Sequence, residues 1–217
     1  MTRIFCSGYL ASIALLITVF LFSGCVSPYG VSLPSNKKES QQWQEARAEL
    51  AAPDPIAMAR LEPFVGQWDW NVAVWPFTGA EPQKAKGEAA MSMVAGGRFL
   101  KIDYEESVGA KNWGTMFLGF DRGTSLYQLV SFGTTSSAMT VGWGVFDRTT
   151  WKWDFEVAFT DPMTRREAQI NLTIRRPRLN TQIWTAWRRN TEGEMVRWSE
   201  TTFTKHAESE TVTSIKK

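Results

Sequence analysis

Hydrophobic and polar residues alternate with a period of two along most of the chain after position 63. The pattern first appears in residues 64–75, where Trp68 and Trp70 fall on one face and Asp69 and Asn71 on the other. Successive side chains of a β-strand point to opposite sides of its sheet. This stretch is therefore predicted to be a half-buried strand.

About ten segments show this alternation, and turn residues separate them. No helical pattern lies between the segments, which argues against a parallel sheet and favours a meander of neighbouring antiparallel strands. Closing the meander into a barrel removes its exposed edges. The sequence thus predicts an all-β protein, an antiparallel up-and-down β-barrel of about ten strands over residues 63–206, with segments at 64–75, 88–94, 98–106, 113–121, 126–132, 138–146, 151–160, 167–175, 179–188 and 195–205.

Aromatic residues concentrate on one face of several predicted strands, and the chain holds 11 Trp in 217 residues. The strand at 138–146 places Trp143 with other large residues on one face, and the opposite face carries Gly142 and Gly144. We expect the aromatic faces to point into the barrel, where they either fill a core or line a cavity for an apolar ligand. The predicted ligand-binding residues are Trp68, Trp70, Trp143, Trp151, Trp153 and Phe155, with Arg98 and Tyr104 as polar anchors near the mouth.

The N-terminus has the pattern of an exported lipoprotein. Arg3 precedes the apolar run Leu10–Phe22, and the small residues Ser23 and Gly24 come directly before a cysteine. We predict a signal peptide at residues 1–24, acylation of the cysteine that follows it, and a flexible tether at 25–40. The lipid would place the protein in the cell envelope, on the periplasmic face of the outer membrane. An uncleaved membrane anchor is the alternative. The predicted lipidation site is Cys25.

A helical segment is predicted between the tether and the barrel, at residues 41–62. Gln41–Ala51 has helix-forming composition and Pro53 ends it. Asp54 and Pro55 then have the character of a helix cap and first helical residue, opening a short helix through Leu61. This helix is expected to cover a barrel end as a lid or plug, with a partner-binding helix as the alternative. Residues 207–217 are predicted to be a disordered tail.

Several kinds of chemistry are disfavoured by composition. The two cysteines are Cys6, inside the signal peptide, and Cys25, so the mature domain holds no disulfide and no thiolate metal site. The formal net charge is only +2, and we expect no nucleic-acid partner, no metal and no cofactor. An enzyme using Asp103, Glu105 and Glu106 stays an alternative, although the alternation points the first two outward.

Three short motifs resemble the uncharacterised DUF1579 family over residues 61–205, and the family is similar to the calycin and lipocalin barrels. The resemblance implies a calycin-like barrel and no particular activity. It also implies that an arginine late in the chain packs across Trp68, with Arg197 as the best match and Arg188 and Arg189 as alternatives. The calycin-like nitrobindins bind haem through a histidine near the C-terminus, so His206, the single histidine of the chain, is a further candidate ligand. The motifs are 64–68 (FVGQW), 96–100 (GGRFL) and 119–121 (GFD).

Two functions from different classes follow from these patterns. The first is an envelope protein that binds a small apolar or amphipathic ligand in the barrel cavity. The second is a structural or protein-interaction lipoprotein whose barrel is filled by its own side chains. Hydrophobic and polar residues alternate in the same way in a filled barrel and in a hollow one, so the sequence does not decide between the two functions.

Overall fold

Ten antiparallel strands close into one barrel, as the alternation predicts. The computed structural model describes residues 34–107, 112–134, 136–161 and 164–206. Each strand pairs with its neighbours in sequence, and β1 pairs with β10 to complete the ring. The strands are β1 (Gly66–Val74), β2 (Gln83–Val94), β3 (Phe99–Glu106), β4 (Trp113–Asp121), β5 (Leu126–Gly133), β6 (Ser136–Asp147), β7 (Lys152–Thr160), β8 (Glu167–Arg178), β9 (Thr181–Arg189) and β10 (Met195–Lys205).

The predicted signal peptide, Cys25 and the predicted tail lie outside the described residues. The first helix, α1 (Lys37–Ala51), begins within the segment predicted as tether, because Asn36 caps it. The Asn36 side chain accepts a hydrogen bond from the backbone N–H of Glu39 at 3.0 Å, and the Glu39 carboxylate accepts one from the backbone N–H of Ser35 at 2.8 Å. The helix has no buried residue.

None of the helices in the described ranges is long and apolar enough to cross a membrane.

A short helix followed by one 3₁₀ turn forms a plug in one end of the barrel. The helix α2 (Pro55–Ala59) starts as predicted, since Asp54 accepts a hydrogen bond from the backbone N–H of Ala57 at 2.8 Å and Pro55 occupies its first turn. The turn η1 (Glu62–Phe64) leads directly into β1. Together they bury Ala57, Met58, Leu61 and Phe64, which confirms the prediction of a plug.

The core lies at this plugged end. The hydroxyl of Tyr127 donates a hydrogen bond to the carbonyl of Ala57 at 3.0 Å, and the rings of Phe64 and Trp153 meet edge to face at 5.3 Å. Arg60 lies over the ring of Phe146, 4.7 Å from its centroid. The most deeply buried side chains of the barrel strands also lie at this end. They are Trp68, Leu100, Leu118, Tyr127, Leu129, Trp153, Ile174 and Gln182.

The predicted orientation of β6 is wrong. Its inward positions are Gly142 and Gly144, and Trp143 lies on the outside with 47% of its surface exposed. The reason is packing against β7, because an added Cβ on Gly142 would lie 2.9 Å from Val157 and one on Gly144 would lie 2.5 Å from the ring of Phe155. Glycines here leave room for the large residues of the neighbouring strand.

Trp151 is likewise outside the barrel. It lies in the turn before β7, where its φ of 50° takes it out of the strand alternation, and 62% of its surface is exposed. Arg98 is also exposed, in the turn between β2 and β3. Neither side chain lines the lumen, because both belong to turns that connect strands.

Candidate functional site

Four of the predicted cavity residues belong to the packed half of the barrel. Trp68, Trp153 and Phe155 are at most 2% exposed, and Trp70 is 9% exposed. The indole N–H of Trp68 donates to the carbonyl of Phe64 at 2.7 Å, which ties β1 to the plug. These rings and the plug fill the interior of this half of the barrel, as the filled-barrel interpretation predicts.

The cationic side chain that packs on Trp68 is that of Lys205 and not that of Arg197. Lys205 Nζ lies 5.7 Å from the centre of the Trp68 ring, and Arg197 instead lies over Trp75 at 4.1 Å. The antiparallel pairing explains this, since Trp68 stands opposite Lys205 and β10 runs away from it towards Arg197 at the other end. The predicted cation over Trp68 is confirmed, and its assignment to Arg197 is wrong.

Tyr104 occupies the half of the barrel away from the plug. It is half-buried and packs against the core. An added Cβ on Gly114 would overlap its hydroxyl, so the ring lies flat against β4. Tyr104 is thus the predicted polar anchor that faces the lumen, whereas Arg98 does not.

A gap in the barrel wall lies at the end opposite the plug, which we call the open end. The β8–β9 ladder stops at the pair Asn171–Trp187. The strands on either side remain paired further, as far as Thr160–Glu167 on one side and Arg189–Met195 on the other. Residues 167–170 of β8 and 188–189 of β9 therefore face each other without pairing, and we call this opening the lateral gap.

The lateral gap opens into a cavity of 1110 Å³, which we call the mouth cavity. Its lining combines inward residues with residues of the outer face, as expected where a wall is interrupted. Phe159, Ile170 and Trp198 contribute apolar surface, and Arg188 and Glu192 contribute charge of opposite sign. Small-molecule sites enclose about 300–1,000 Å³, with mostly apolar walls and a few polar groups. The mouth cavity is slightly larger than this range, and polar and apolar groups contribute to its lining in similar measure.

An aromatic stack crosses the mouth cavity. The rings of Phe159 and Trp198 lie 5.7 Å apart and nearly parallel, at 11°. Arg188 lies over the same indole at 5.9 Å and donates a hydrogen bond to the carbonyl of Pro76 at 2.6 Å. The guanidinium is thereby held at the edge of the cavity with further N–H groups to offer a ligand.

Sequence reasoning did not single out these mouth residues. Phe159 lies on the aromatic face of β7 that was predicted to point inward, so the alternation already contained it. Trp198 could not be placed by alternation, because a register shift between Arg197 and Ser199 interrupts the period of two. The lateral gap has no comparable sequence signal.

The residues considered for other chemistry lie apart from the mouth cavity. Burial raises the pKa of Asp103, but hydrogen bonds from Lys101 and Thr115 outweigh it, and the pKa of this carboxyl lies below its ordinary value. That carboxylate is held as an ion pair with Lys101 at 2.7 Å. His206 Nε2 lies 3.0 Å from Oδ1 of Asp69, which is on the outer face of β1, so its imidazole is turned away from the lumen.

Among the described residues, no group of three or more His, Cys, Asp or Glu side chains could hold a metal ion.

Comparison with known proteins gives a family and a fold. Residues 57–205 match the model of a family described as "Protein of unknown function (DUF1579)". The crystal structure of Rv2717c from M. tuberculosis superposes with a TM-score of 0.54 at 14% sequence identity, covering 72% of this chain and 100% of that one. At this identity the likeness concerns the fold. No protein of curated function matches the chain significantly.

Proposed function

Since the chain belongs to the DUF1579 family, whose function is unknown, we propose from its geometry that it binds a small amphipathic molecule in the mouth cavity. The observation that carries the proposal is the combination of a filled, plugged end with a cavity of 1110 Å³ at the open end. The plug and the rings around Trp68 stabilise the barrel, so the open end does not have to be filled by side chains.

The lining suggests how such a ligand lies. Phe159, Ile170 and Trp198 offer apolar and aromatic contact to a hydrocarbon or ring portion. Arg188 and Glu192 stand near the rim, where the polar end of the ligand would remain solvated. Charges of both signs at the rim favour an uncharged or zwitterionic polar group over a strongly charged one. The lateral gap gives the ligand a path that does not disturb the plug.

Filling the mouth cavity is expected to abolish binding without unfolding the barrel. Ala168 lines the cavity opposite Phe159 in the β7–β8 ladder, and an Ala168→Trp change would place an indole where the ligand lies. Isoprenoid alcohols, monoacylglycerols and a zwitterionic lysophospholipid are screened by thermal shift, with anionic fatty acids as the charged comparison. A compound present at a hundredfold excess over its dissociation constant stabilises by about 2.7 kcal/mol, or about 5–10 °C for a domain of this size.

We expect the wild-type protein to show such a shift and Ala168→Trp to lose it while keeping its own melting temperature within a few degrees. Phe132→Ala, which removes an exposed ring on β5 outside the mouth cavity, serves as the matched control and should bind normally. An unchanged shift in Ala168→Trp, or the absence of any shift across the screen, would contradict the proposal and favour the structural interpretation.

The same proposal places the barrel on a membrane through Cys25. The supports are the apolar run Leu10–Phe22 and the small residues before the cysteine. A single acyl chain binds a bilayer only weakly, so a stable anchor of this kind carries several chains. The barrel would then meet its ligand at the periplasmic face of the outer membrane.

A Cys25→Ser variant is expected to leave the membrane fraction and to lose the mass of the attached lipid. The reason is that Cys25 supplies the thiol to which the lipid would be joined, and the chain has a single other cysteine, Cys6. Fractionation of the expressing cells, followed by intact-mass measurement, checks both effects. Cys6→Ser is the control and should behave as the wild type. Membrane retention of Cys25→Ser with unchanged mass would refute lipidation.

A further inference from the structure

A second depression lies on the outer face of the barrel, across β6 to β9. It encloses 620 Å³ and we call it the outer groove. Its lining includes Trp143, Val145, Glu156, Asn171, Trp187 and Met195. Trp143 and Trp187 are 47% and 36% exposed, respectively, which is unusual for residues that normally supply core or interface. Exposed aromatic surface around a depression is typical of a binding site.

The two tryptophans stand at the ends of one row of paired residues. Trp143 is opposite Glu156 in the β6–β7 ladder, and Glu156 is opposite Asn171 in the β7–β8 ladder. Asn171 is opposite Trp187 in the β8–β9 ladder. Three strand intervals of about 4.8 Å separate the two indoles, or about 14 Å along the sheet. The groove is therefore an elongated polar floor with an aromatic side chain at each end.

The floor offers hydrogen-bonding groups that the protein itself leaves unused. Within the described residues, the side chains of Glu156 and Asn171 form no hydrogen bond or ion pair with the rest of the chain. Asp154, beside them, is fixed by Lys152 at 2.9 Å and by the hydroxyl of Thr173 at 2.9 Å. One unpaired carboxylate and one carboxamide thus lie between the two rings, and one ordered carboxylate lies beside them.

This arrangement disfavours an apolar chain and an added peptide strand. A hydrocarbon on the floor would remove water from Glu156 without replacing its hydrogen bonds, and the acidic groups would repel an anionic lipid head group. The β6–β7 and β7–β8 ladders are complete along the groove, and unpaired backbone begins only beyond its Asn171–Trp187 end, at the lateral gap. An extended peptide lying on the floor therefore has no open edge to join.

We propose that the outer groove binds a short neutral oligosaccharide. Sugar rings have an apolar face of C–H groups that packs on an indole, and hydroxyls at their edges that bond to carboxylate and amide groups. Rings at the two ends of the oligosaccharide would lie on Trp143 and Trp187, and the hydroxyls between them would satisfy Glu156 and Asn171. This inference does not rest on the proposed function of the mouth cavity, although the linings of the two sites share Glu156, Asn171, Trp187 and Met195.

The test uses the folded barrel and three uncharged probes of several rings: cellotetraose, maltotetraose and the tetramer of N-acetylglucosamine. Binding is measured by isothermal titration calorimetry and by tryptophan fluorescence. We expect at least one probe to bind with a dissociation constant in the micromolar to millimolar range. Trp143→Ala should weaken that binding tenfold or more, and Glu156→Gln should weaken it by a smaller factor.

Trp113→Ala is the matched control, because Trp113 is an exposed indole on β4 that does not line the outer groove. It should bind the probe as the wild type does. Trp143 lines the outer groove and not the mouth cavity, so Trp143→Ala should keep the thermal shift from an amphipathic ligand. The proposal would be overturned if Trp143→Ala bound the oligosaccharide as the wild type does, or if no probe bound at a concentration of about 10 mM.

Discussion

A Trp68→Ala variant is expected to lose about 3–5 kcal/mol of the free energy of unfolding. Trp68 is fully buried, and its indole N–H donates to the carbonyl of Phe64 at 2.7 Å. Removing the indole leaves a cavity beneath the plug and takes away the hydrogen-bond donor of the Phe64 carbonyl. It also removes the ring on which Lys205 lies. Urea denaturation followed by circular dichroism measures the loss directly.

The control for this variant is Trp143→Ala, in which the same atoms are removed from the outer face. Because Trp143 is about half exposed, its loss should change the free energy of unfolding by no more than about 0.5 kcal/mol. A loss below about 1 kcal/mol for Trp68→Ala would show that the plugged end can collapse around the missing ring, and would contradict the assignment of Trp68 to the centre of the core.

Gly87→Ala is expected to be nearly as damaging, by about 3 kcal/mol, although it adds a single methyl group. Gly87 stands opposite Trp70 in the β1–β2 ladder, and an added Cβ would overlap the backbone oxygen of Glu105 and the indole of Trp70. The ring is held by a hydrogen bond from its N–H to the carbonyl of Glu88 at 3.0 Å, so moving it breaks that bond as well. Thermal and urea unfolding measure the effect.

Gly123→Ala provides the comparison in which a methyl group is tolerated. There the added Cβ would lie 3.2 Å from the Asp121 carboxylate, a contact that a small shift relieves. That carboxylate can keep the hydrogen bonds that it accepts from Gly123, Thr124 and Gln128. We expect a change of about 0.5 kcal/mol or less. If the two glycine variants prove equally stable, the close packing of β2 against β1 and β3 described above is incorrect.

The period of two in the hydrophobic pattern was enough to predict the barrel, but it did not always identify the inner face. In β1 and β7 the two faces of the strand differ clearly, because one carries Trp68 or Trp153 and the other carries charged or polar residues. Both rings are buried, as predicted. In β6 the choice lay between large apolar residues and glycines, and the glycines face inward. Whether a large side chain fits depends on the strand beside it, and the pattern of a single strand does not contain that information.

Register was the second quantity that alternation could not supply. Arg197 was assigned to Trp68, but the β1–β10 pairing places Arg197 near Trp75 and brings Lys205 to Trp68. The same limitation hides the mouth cavity. Its opening depends on where the β8–β9 ladder ends, at Asn171–Trp187, and its stacked ring Trp198 depends on a bulge. These features come from pairings between strands and not from the composition of either one.

The closure of the ring by β1 and β10 also sets the order in which the protein can fold. The two strands lie at opposite ends of the domain sequence, so the residues that they pair are far apart along the chain. Bringing them together therefore has a large cost in loop-closure entropy. During synthesis β1 lacks one of its two neighbours until the final strand emerges, and the plug that precedes it has no completed barrel to enter. The native state is therefore reached after translation of the whole domain, and until then the open edges of β1 and the growing sheet require protection from aggregation.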